Sequence, residues 1–245
     1  ELNAALTGGN TAGTSGIENG NREHGIVISG GADNNLIGGS EVSERNVISG
    51  NGTDAVFQVL GVDGKPTGQY PSLDYGNGIL ITGTGTTNNV VIGNYIGVDV
   101  SGVNPVANAF SGVVIEDGAT DNTIGGTGVG EGNLIARNGS DSDGCNLHCG
   151  NGHASYYGRG VFVEGAATTG NAVLGNTIVR NQTIGVLFRG LVSGTLGGAV
   201  EGAGNTISDH SHGNFTSPNI YLDGCANVQV EDNRVSGGHT GILIS

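Results

Sequence analysis

Large side chains are scarce in this 245-residue chain, which holds six Tyr, five Phe and no Trp or Met. A helical bundle or a doubly wound α/β domain would lack the volume to fill its core. Its 50 glycines are about three times the ordinary usage, and each one inside a helix would cost about 1 kcal/mol. With only four prolines and no G-X-Y period, collagen is excluded. An elongated β architecture remains, since a Val- and Ile-rich chain with 12% charged residues is not typical of disorder.

Basic residues are also few, with 8 Lys and Arg against 22 Asp and Glu, a net charge of −14 and Lys65 as the sole lysine. Nucleic acids and anionic membrane surfaces are therefore not expected as partners. No run of about 18 apolar residues is present, so we expect no membrane insertion. Because the chain starts at Glu1 without a Met or an apolar leader, we expect a processed or excised segment.

Two short units recur along the chain. A Gly followed by alternating apolar residues occurs at 25–29, 78–82, 112–116, 160–164, 185–189 and 241–245. An Asn-x-Ile/Val unit occurs once in each complete repeat, at Asn46, Asn94, Asn133, Asn176, Asn205 and Asn233. Short strands with Gly and Asn at the bends are typical of a solenoid in which each turn buries its apolar face against its neighbours.

These units predict an all-β fold, a single-stranded right-handed parallel β-helix of about six to seven coils of roughly 22–25 residues with loop insertions at one corner. One domain is predicted over 1–245, with an irregular N-terminal part over 1–24 and the repeats over 25–245. Asn94, Asn133, Asn176 and Asn205 are expected to stack in a ladder whose side-chain amides bond from coil to coil.

The series NGILITGTGTTNNVVIGNYIG, SGVVIEDGATDNTIGGTGVGEGNLIARNG and RGVFVEGAATTGNAVLGNTIVRN resembles the right-handed parallel β-helix repeats of the pectate-lyase-like superfamily. That superfamily includes pectate lyases, alginate lyases and mannuronan C5-epimerases. The resemblance implies a secreted protein, extracellular or on the cell surface, that acts on a polysaccharide as a polyuronate lyase or C5-epimerase. The Asp-Pro-His motif of the mannuronan epimerases does not occur in this sequence.

The longer repeats carry their extra residues at one corner, over about 50–77, 98–111, 138–159 and 209–218. In a solenoid, insertions at one corner build a wall beside one face, which is usually the binding side. The insertions contain the side chains that we expect to bind substrate or take part in catalysis there, Tyr75, His153, Tyr156, Tyr157, Arg159, His210 and His212.

The strand after this corner is expected to point two residues of each coil outward. The first outward positions form what we call the apolar row, Val27, Leu80, Val114, Phe162, Leu187 and Tyr221. We expect this row to face solvent as a platform, with Phe162 and Tyr221 contacting substrate. The second positions are Ser29 and Thr82, followed by what we call the charged row, Glu116, Glu164, Arg189 and Asp223.

The charged row allows several chemistries. A proton shared by Glu116 and Glu164 would suit a retaining glycoside hydrolase, whose two carboxyl groups lie about 5–5.5 Å apart. Alternatively, a Ca²⁺ ion between these two glutamates, or the Arg189 guanidinium, would neutralise a uronate carboxylate. A base would then take the C5 proton, and we expect Tyr156, Tyr157, His153 or Arg159 in that role.

Two alternatives need no catalysis. In the first, the charged row is an ion-paired ladder in which Arg189 bridges Glu164 and Asp223. The protein would then be a non-catalytic β-solenoid, such as an adhesin, a glycan-binding module or a structural part of a larger protein. A polysaccharide is the expected partner, and Ca²⁺ is the one expected cofactor. We also expect end-to-end packing on flanking domains or on an oligomer partner.

Overall fold

The structure, a computed structural model, describes residues 20–21, 23–52, 76–139, 158–210 and 217–245. These residues form three all-parallel sheets. Sheet 1 consists of β1 (Ile26–Ile28), β4 (Ile79–Thr82), β7 (Val113–Glu116), β10 (Val161–Glu164), β13 (Val186–Arg189), β16 (Pro218–Asp223) and β19 (Thr240–Ile244).

The other two sheets have six strands each. Sheet 2 consists of β2 (Leu36–Gly38), β5 (Val90–Ile92), β8 (Thr123–Gly125), β11 (Ala172–Leu174), β14 (Gly194–Gly197) and β17 (Val228–Glu231). Sheet 3 consists of β3 (Val47–Ile48), β6 (Tyr95–Ile96), β9 (Leu134–Ala136), β12 (Thr177–Val179), β15 (Thr206–Ser208) and β18 (Arg234–Ser236). A short 3₁₀ helix spans Val42–Glu44.

Each strand from β4 onward pairs with the strand three places earlier in the chain, which lies one coil back. The chain therefore winds as a parallel β-helix of six three-stranded coils followed by β19. The predicted fold class is confirmed. Inward-facing Ile, Val, Leu and Phe side chains from all three sheets make one continuous core, exemplified by Ile79, Val91 and Ile96 from the second coil, all fully buried. No helix of the described residues is long and apolar enough to cross a membrane.

Three ladders of stacked polar side chains line the bends. The ladder between sheets 2 and 3 contains the four predicted residues, Asn94, Asn133, Asn176 and Asn205, and extends to Asn46 and Asn233 at its two ends. At each step an amide Nδ2 donates to the Oδ1 of the next coil over 2.8–3.1 Å. This ladder is confirmed, and it satisfies backbone groups at the bend, as when Asn133 Nδ2 donates to the Val91 carbonyl over 2.7 Å.

The other two ladders were not predicted. One precedes sheet 2 and links Asn35, Asn89, Asn122 and Asn171. The second lies between sheets 3 and 1 and links Asn21, Asn51, Asn108, Asn138, Asn181 and His210. We call this last one the corner ladder, because it lies at the corner where the insertions occur.

A column of glycines precedes sheet 1 and packs against the corner ladder. Its members are Gly25, Gly78, Gly112, Gly160 and Gly185. A Cβ on Gly160 would lie 2.5 Å from the Gly185 carbonyl oxygen and 2.9 Å from Asn181 Nδ2, and would also overlap the Ile178 side chain. Only glycine fits here, because the chain of the next coil and the ladder fill the space that a side chain needs.

The sixth coil exchanges these two residue types. Asn219 occupies the glycine position, since Ile220 pairs with Val186, and Gly238 occupies the ladder position, since Ser236 pairs with Ser208. Asn219 Nδ2 donates to the Ser236 and Gly237 carbonyls over 3.2 and 2.8 Å. The amide of this coil therefore reaches the bend from the opposite side and supplies the donor of the missing ladder residue, whereas its buried Oδ1 accepts no hydrogen bond from the described residues.

Candidate functional site

The register of sheet 1 brings the charged row together as predicted. Thr82 pairs with Glu116, Glu164 pairs with Arg189, and Arg189 pairs with Asp223. Since Ile115 pairs with Val163, Glu116 and Glu164 end adjacent strands. The row lies where each strand leaves sheet 1, with all four side chains half-buried. Parallel pairing in register is what turns four residues far apart in sequence into neighbours about 4.8 Å apart.

Arg189 is held unequally by its two acidic neighbours. Its Nε donates to Asp223 Oδ2 over 3.0 Å, which is a hydrogen bond, whereas its Nη1 is 3.9 Å from Glu164 Oε1. The side chains of Arg189, Glu164 and Asp223 are 31%, 43% and 35% exposed. The guanidinium therefore has one tight partner and one loose partner, and the loose one is the most exposed of the three side chains.

A metal centre would need more ligands than Glu116 and Glu164. Within the described ranges, no three His, Cys, Asp or Glu side chains gather so that they could hold a metal ion. A Ca²⁺ ion at this pair would have to take its other ligands from water or substrate, since Ca²⁺ prefers six to eight oxygens. The calcium site stays a prediction.

The apolar row does not face solvent as expected. Leu80, Val114, Phe162 and Leu187 are buried, and together with Ile184 they form a second hydrophobic cluster on the outer side of sheet 1. Tyr221 packs half-buried against this cluster, whereas Val27 at the first coil is 52% exposed. The expectation of an exposed platform is therefore wrong for the middle of the row, because these side chains pack together instead of lying in water.

Two cations lie against one aromatic ring in this cluster. The guanidinium carbon of Arg159 lies 4.2 Å from the centre of the Phe162 ring, and that of Arg189 lies 5.4 Å from it. Both distances are within the range of a cation–π interaction. Arg159 is only 8% exposed, whereas Arg189 reaches the ring from the half-buried charged row. Phe162 thus joins the cluster to the charged row and has little surface of its own for a ligand.

The structure places His210 in the interior. Its Nδ1 accepts a hydrogen bond from the Asn181 backbone N–H over 3.1 Å, and its Nε2 lies 3.0 Å from the Ile178 carbonyl oxygen. Burial lowers the pKa of His210 from 6.5 to about 4, against the smaller raising effects of these hydrogen bonds and of Asp209. The imidazole is the last side chain of the corner ladder, and we do not include it in a surface for substrate.

The remaining predicted site residues divide into two groups. Tyr221 is at the surface, where its hydroxyl lies 3.2 Å from Ser245 Oγ. Outside the described residues lie Tyr75, His153, Tyr156, Tyr157 and His212. The described part of the site is thus the outer edge of β10, β13 and β16, with Glu164, Arg189, Asp223 and Tyr221.

One acidic side chain away from sheet 1 is held by local donors. Asp99 lies in the insertion over 98–111, where its carboxylate accepts hydrogen bonds from Ser101 Oγ, at 2.6 Å, and from Asn104 Nδ2, at 2.7 Å. These bonds lower the pKa of Asp99 to about 2. These hydrogen bonds order the loop, and the donor residues Ser101 and Asn104 belong to the same loop as Asp99.

Comparison of the chain with protein-family models, with curated proteins and with solved structures gave no match. The parallel β-helix is thus established by the three sheets themselves.

Proposed function

We propose that this chain is a secreted, carbohydrate-active member of the pectate-lyase-like superfamily that acts on an acidic polysaccharide as a polyuronate lyase or C5-epimerase. The observation that carries the proposal is the pair of guanidinium groups at Phe162 beside the carboxylates of Glu164 and Asp223. The chain has only 8 basic residues, and two of them meet at this ring. Guanidinium groups gathered at one point of an acidic protein suit a ligand that carries regularly spaced carboxylates, because a ligand carboxylate can replace one of the protein's own as the partner of a guanidinium.

The unequal contacts of Arg189 suggest how a uronate would bind. Asp223 fixes the guanidinium through a 3.0 Å hydrogen bond, while Glu164 at 3.9 Å is the partner that a ligand carboxylate would displace. A planar guanidinium can bind a carboxylate through two parallel N–H donors. Neutralising the uronate carboxylate in this way stabilises the negative charge that develops when C5 loses its proton.

The displaced Glu164 carboxylate would then be the base on this coil. It would take the C5 proton, and the electron pair left at C5 is delocalised into the neutralised carboxylate. In a lyase, this electron pair forms the C4–C5 double bond as the C4–O bond breaks and the leaving oxygen takes a proton from a general acid. In an epimerase, a proton returns to the other face of C5. The residues expected from the sequence as the base, Tyr156, Tyr157, His153 and Arg159, would then make the other proton transfer.

The test is incubation of the protein with alginate, with pectate and with a neutral glycan. A lyase gives unsaturated products, an epimerase changes the uronate composition without cleaving the chain, and a hydrolase gives reducing ends without unsaturation. We expect Arg189→Gln to lower affinity for polyuronate by about tenfold or more and Glu164→Gln to retain binding but lose turnover. Glu231→Gln, which changes an exposed glutamate at the end of β17, is the matched control and should change neither.

Because the net charge is −14, binding of a polyuronate should depend on the salt concentration. A polyuronate is repelled by an acidic protein, and this repulsion is screened within about 10 Å at 0.1 M salt. We therefore expect affinity to rise from very low salt to about 0.1 M, and to rise further with Ca²⁺ if the cation bridges Glu116 and Glu164.

A non-catalytic glycan-binding module is the second candidate, and the Asp223–Arg189 hydrogen bond favours it. A row whose charges are already paired binds ligands by exchange of partners and needs no proton transfer. Binding that Arg189→Gln abolishes, with no product of any of the three kinds, would support this candidate. Absence of both binding and products would overturn the proposal of a carbohydrate ligand at the charged row.

A further inference from the structure

His210 is a histidine in a place where every earlier coil has asparagine. The corner ladder runs through Asn21, Asn51, Asn108, Asn138 and Asn181 before it reaches His210. The imidazole copies the two functions of an asparagine amide. Its Nδ1 accepts from the backbone N–H of the previous coil, as an Oδ1 does, and its Nε2 faces a carbonyl, as an Nδ2 does. This arrangement requires the neutral tautomer with its proton on Nε2.

The two residue types differ in one respect. An asparagine amide keeps its donors and acceptor at any ordinary pH, whereas an imidazole that takes up a proton becomes a donor at both nitrogens. Protonated Nδ1 would face the N–H of Asn181, so one hydrogen bond would be replaced by two opposed donors in a fully buried position.

Among the residues that the structure describes, those packed against the ring carry no charge that compensates it. The preceding coil presents Ile178 and Asn181, and the same coil presents Ile207 and Gly185, none of which titrates. Of the described residues, Asp209 is the charged group whose field acts on the ring, and its carboxylate is turned toward Ser208 Oγ, at 3.1 Å. The imidazole is therefore fully buried and neutral, and its polar atoms are bound to the fourth coil through two hydrogen bonds.

The position of His210 in the chain determines what its protonation would affect. It follows β15 and precedes β16, so it lies between five coils stabilised by ladders and the last part of the solenoid. In a solenoid each coil is stabilised mainly by its neighbours, so loss of one contact layer opens an end without unfolding the rest. The part beyond it includes Tyr221 and Asp223 of the candidate site.

We propose that His210 is an acid-sensitive latch that holds the end of the fifth coil, and with it residues 217–245, on the fourth coil while its imidazole is neutral and releases this part of the chain when it is protonated. Release takes Asp223 away from Arg189, so the charged row is complete only above the pH at which the latch opens. The proposal does not depend on whether the row binds a polysaccharide.

The direction of the pH effect follows from where the proton binds more tightly. The folded state holds His210 neutral down to about pH 4, whereas an open His210 takes a proton near 6.5. Stability from the latch is therefore complete above pH 6.5 and is lost as the pH falls toward 4. The opening equilibrium of 217–245 should rise by about 100-fold between pH 7 and pH 4.

The experiment is hydrogen exchange followed by mass spectrometry at pH 7, 6, 5 and 4, corrected for the intrinsic pH dependence of exchange. Peptides from 217–245 are compared with peptides from the central coils over 90–136. In the parent chain we expect about 100-fold more opening of 217–245 at pH 4 than at pH 7, with little change in the central coils. His210→Asn, which restores the residue of the other coils, should hold this change within about threefold.

His239→Asn is the matched control, because His239 is an exposed histidine on the following coil and should leave the acid response unchanged. An acid response in His210→Asn equal to that of the parent would overturn the proposal, as would a parent chain that does not open. NMR titration of the parent ring gives an independent measurement if the variant folds poorly. Titration of His210 near 6.5 without opening of 217–245 would contradict the latch.

Discussion

The corner ladder and the charged row are both columns of side chains stacked on the same coils, but they follow different rules. The ladder repeats one neutral residue, because each amide donates to the coil on one side and accepts from the coil on the other. The charged row repeats one residue only at Glu116 and Glu164, since a longer column of like charges about 4.8 Å apart would be unfavourable. It places Arg189 between Glu164 and Asp223 instead. Stacking in register therefore favours uniform sequence inside and mixed charge outside.

The largest effect should come from breaking a ladder in its middle. Replacing Asn133 with Leu removes the acceptor of the Asn94 N–H and Nδ2 groups and the donor to the Val91 carbonyl. Because these groups stay buried, we expect a loss of about 3 kcal/mol or more in the free energy of unfolding. Chemical denaturation followed by circular dichroism measures it. Gln229→Leu removes an exposed amide and should change stability by no more than about 0.5 kcal/mol.

The next effect concerns the glycines that face the corner ladder. Gly160→Ala puts a methyl group against the Gly185 carbonyl and Ile178, so we expect a loss of about 1–3 kcal/mol from overpacking. Gly241 occupies the same column beside the last coil, where its Cβ would lie 3.8 Å from Val235. Gly241→Ala should be neutral or slightly stabilising in the same denaturation experiment. Equal losses of stability in the two variants would contradict this explanation, because only Gly160 is crowded by neighbouring atoms.

A smaller effect is expected in the charged row. Asp223→Asn removes the 3.0 Å contact with Arg189 and Glu164→Gln removes the 3.9 Å contact. Since all three side chains are about one third exposed or more, each change should cost less than about 1 kcal/mol, with Asp223→Asn the larger of the two. The difference should shrink in 1 M salt. A loss above about 2 kcal/mol would mean that the row stabilises the fold as the ladders do.

The smallest effect is local and concerns Asp99. Because its folded pKa is about 2 and its ordinary value is 3.8, the stability it contributes is present above pH 3.8 and is lost as the pH falls through 2. NMR titration of its carboxyl carbon should give a midpoint near 2, and Ser101→Ala should move that midpoint toward 3.8 because the strongest donor is removed. An unchanged midpoint in Ser101→Ala would assign the lowered pKa to the Asn104 and Val103 donors.

Strand pairing could be predicted from the sequence because it follows the repeats. The Asn-x-Ile unit marked one ladder, and the Gly-Ile-x-Ile unit set the register that brings Glu164, Arg189 and Asp223 together. The corner ladder was missed because its residues stand next to the insertions, which vary in length and conceal the spacing. Asn51 and Asn138, for example, were assigned to the start of loops, although both are buried ladder residues.

The burial of the apolar row could not be inferred from alternation alone. Strands β4, β7, β10 and β13 begin with three apolar residues in succession, Ile-Leu-Ile, Val-Val-Ile, Val-Phe-Val and Val-Leu-Phe. Such runs are typical of parallel strands covered on both faces, and this signal pointed to the cluster around Phe162. What covers a sheet depends on contacts between residues far apart in sequence, which a single repeat does not contain.

The exchange of Asn219 and Gly238 constrains how this solenoid can change over generations. Asparagine at both positions would collide, since a side chain at the equivalent Gly185 would lie 2.5 Å from His210 Nε2. Glycine at both positions would leave the Ser236 and Gly237 carbonyls without the donor that Asn219 supplies. We therefore expect each single replacement to destabilise the fold and the double replacement to be tolerated. The two positions are coupled, so a change from one kind of coil to the other needs both residues to change together.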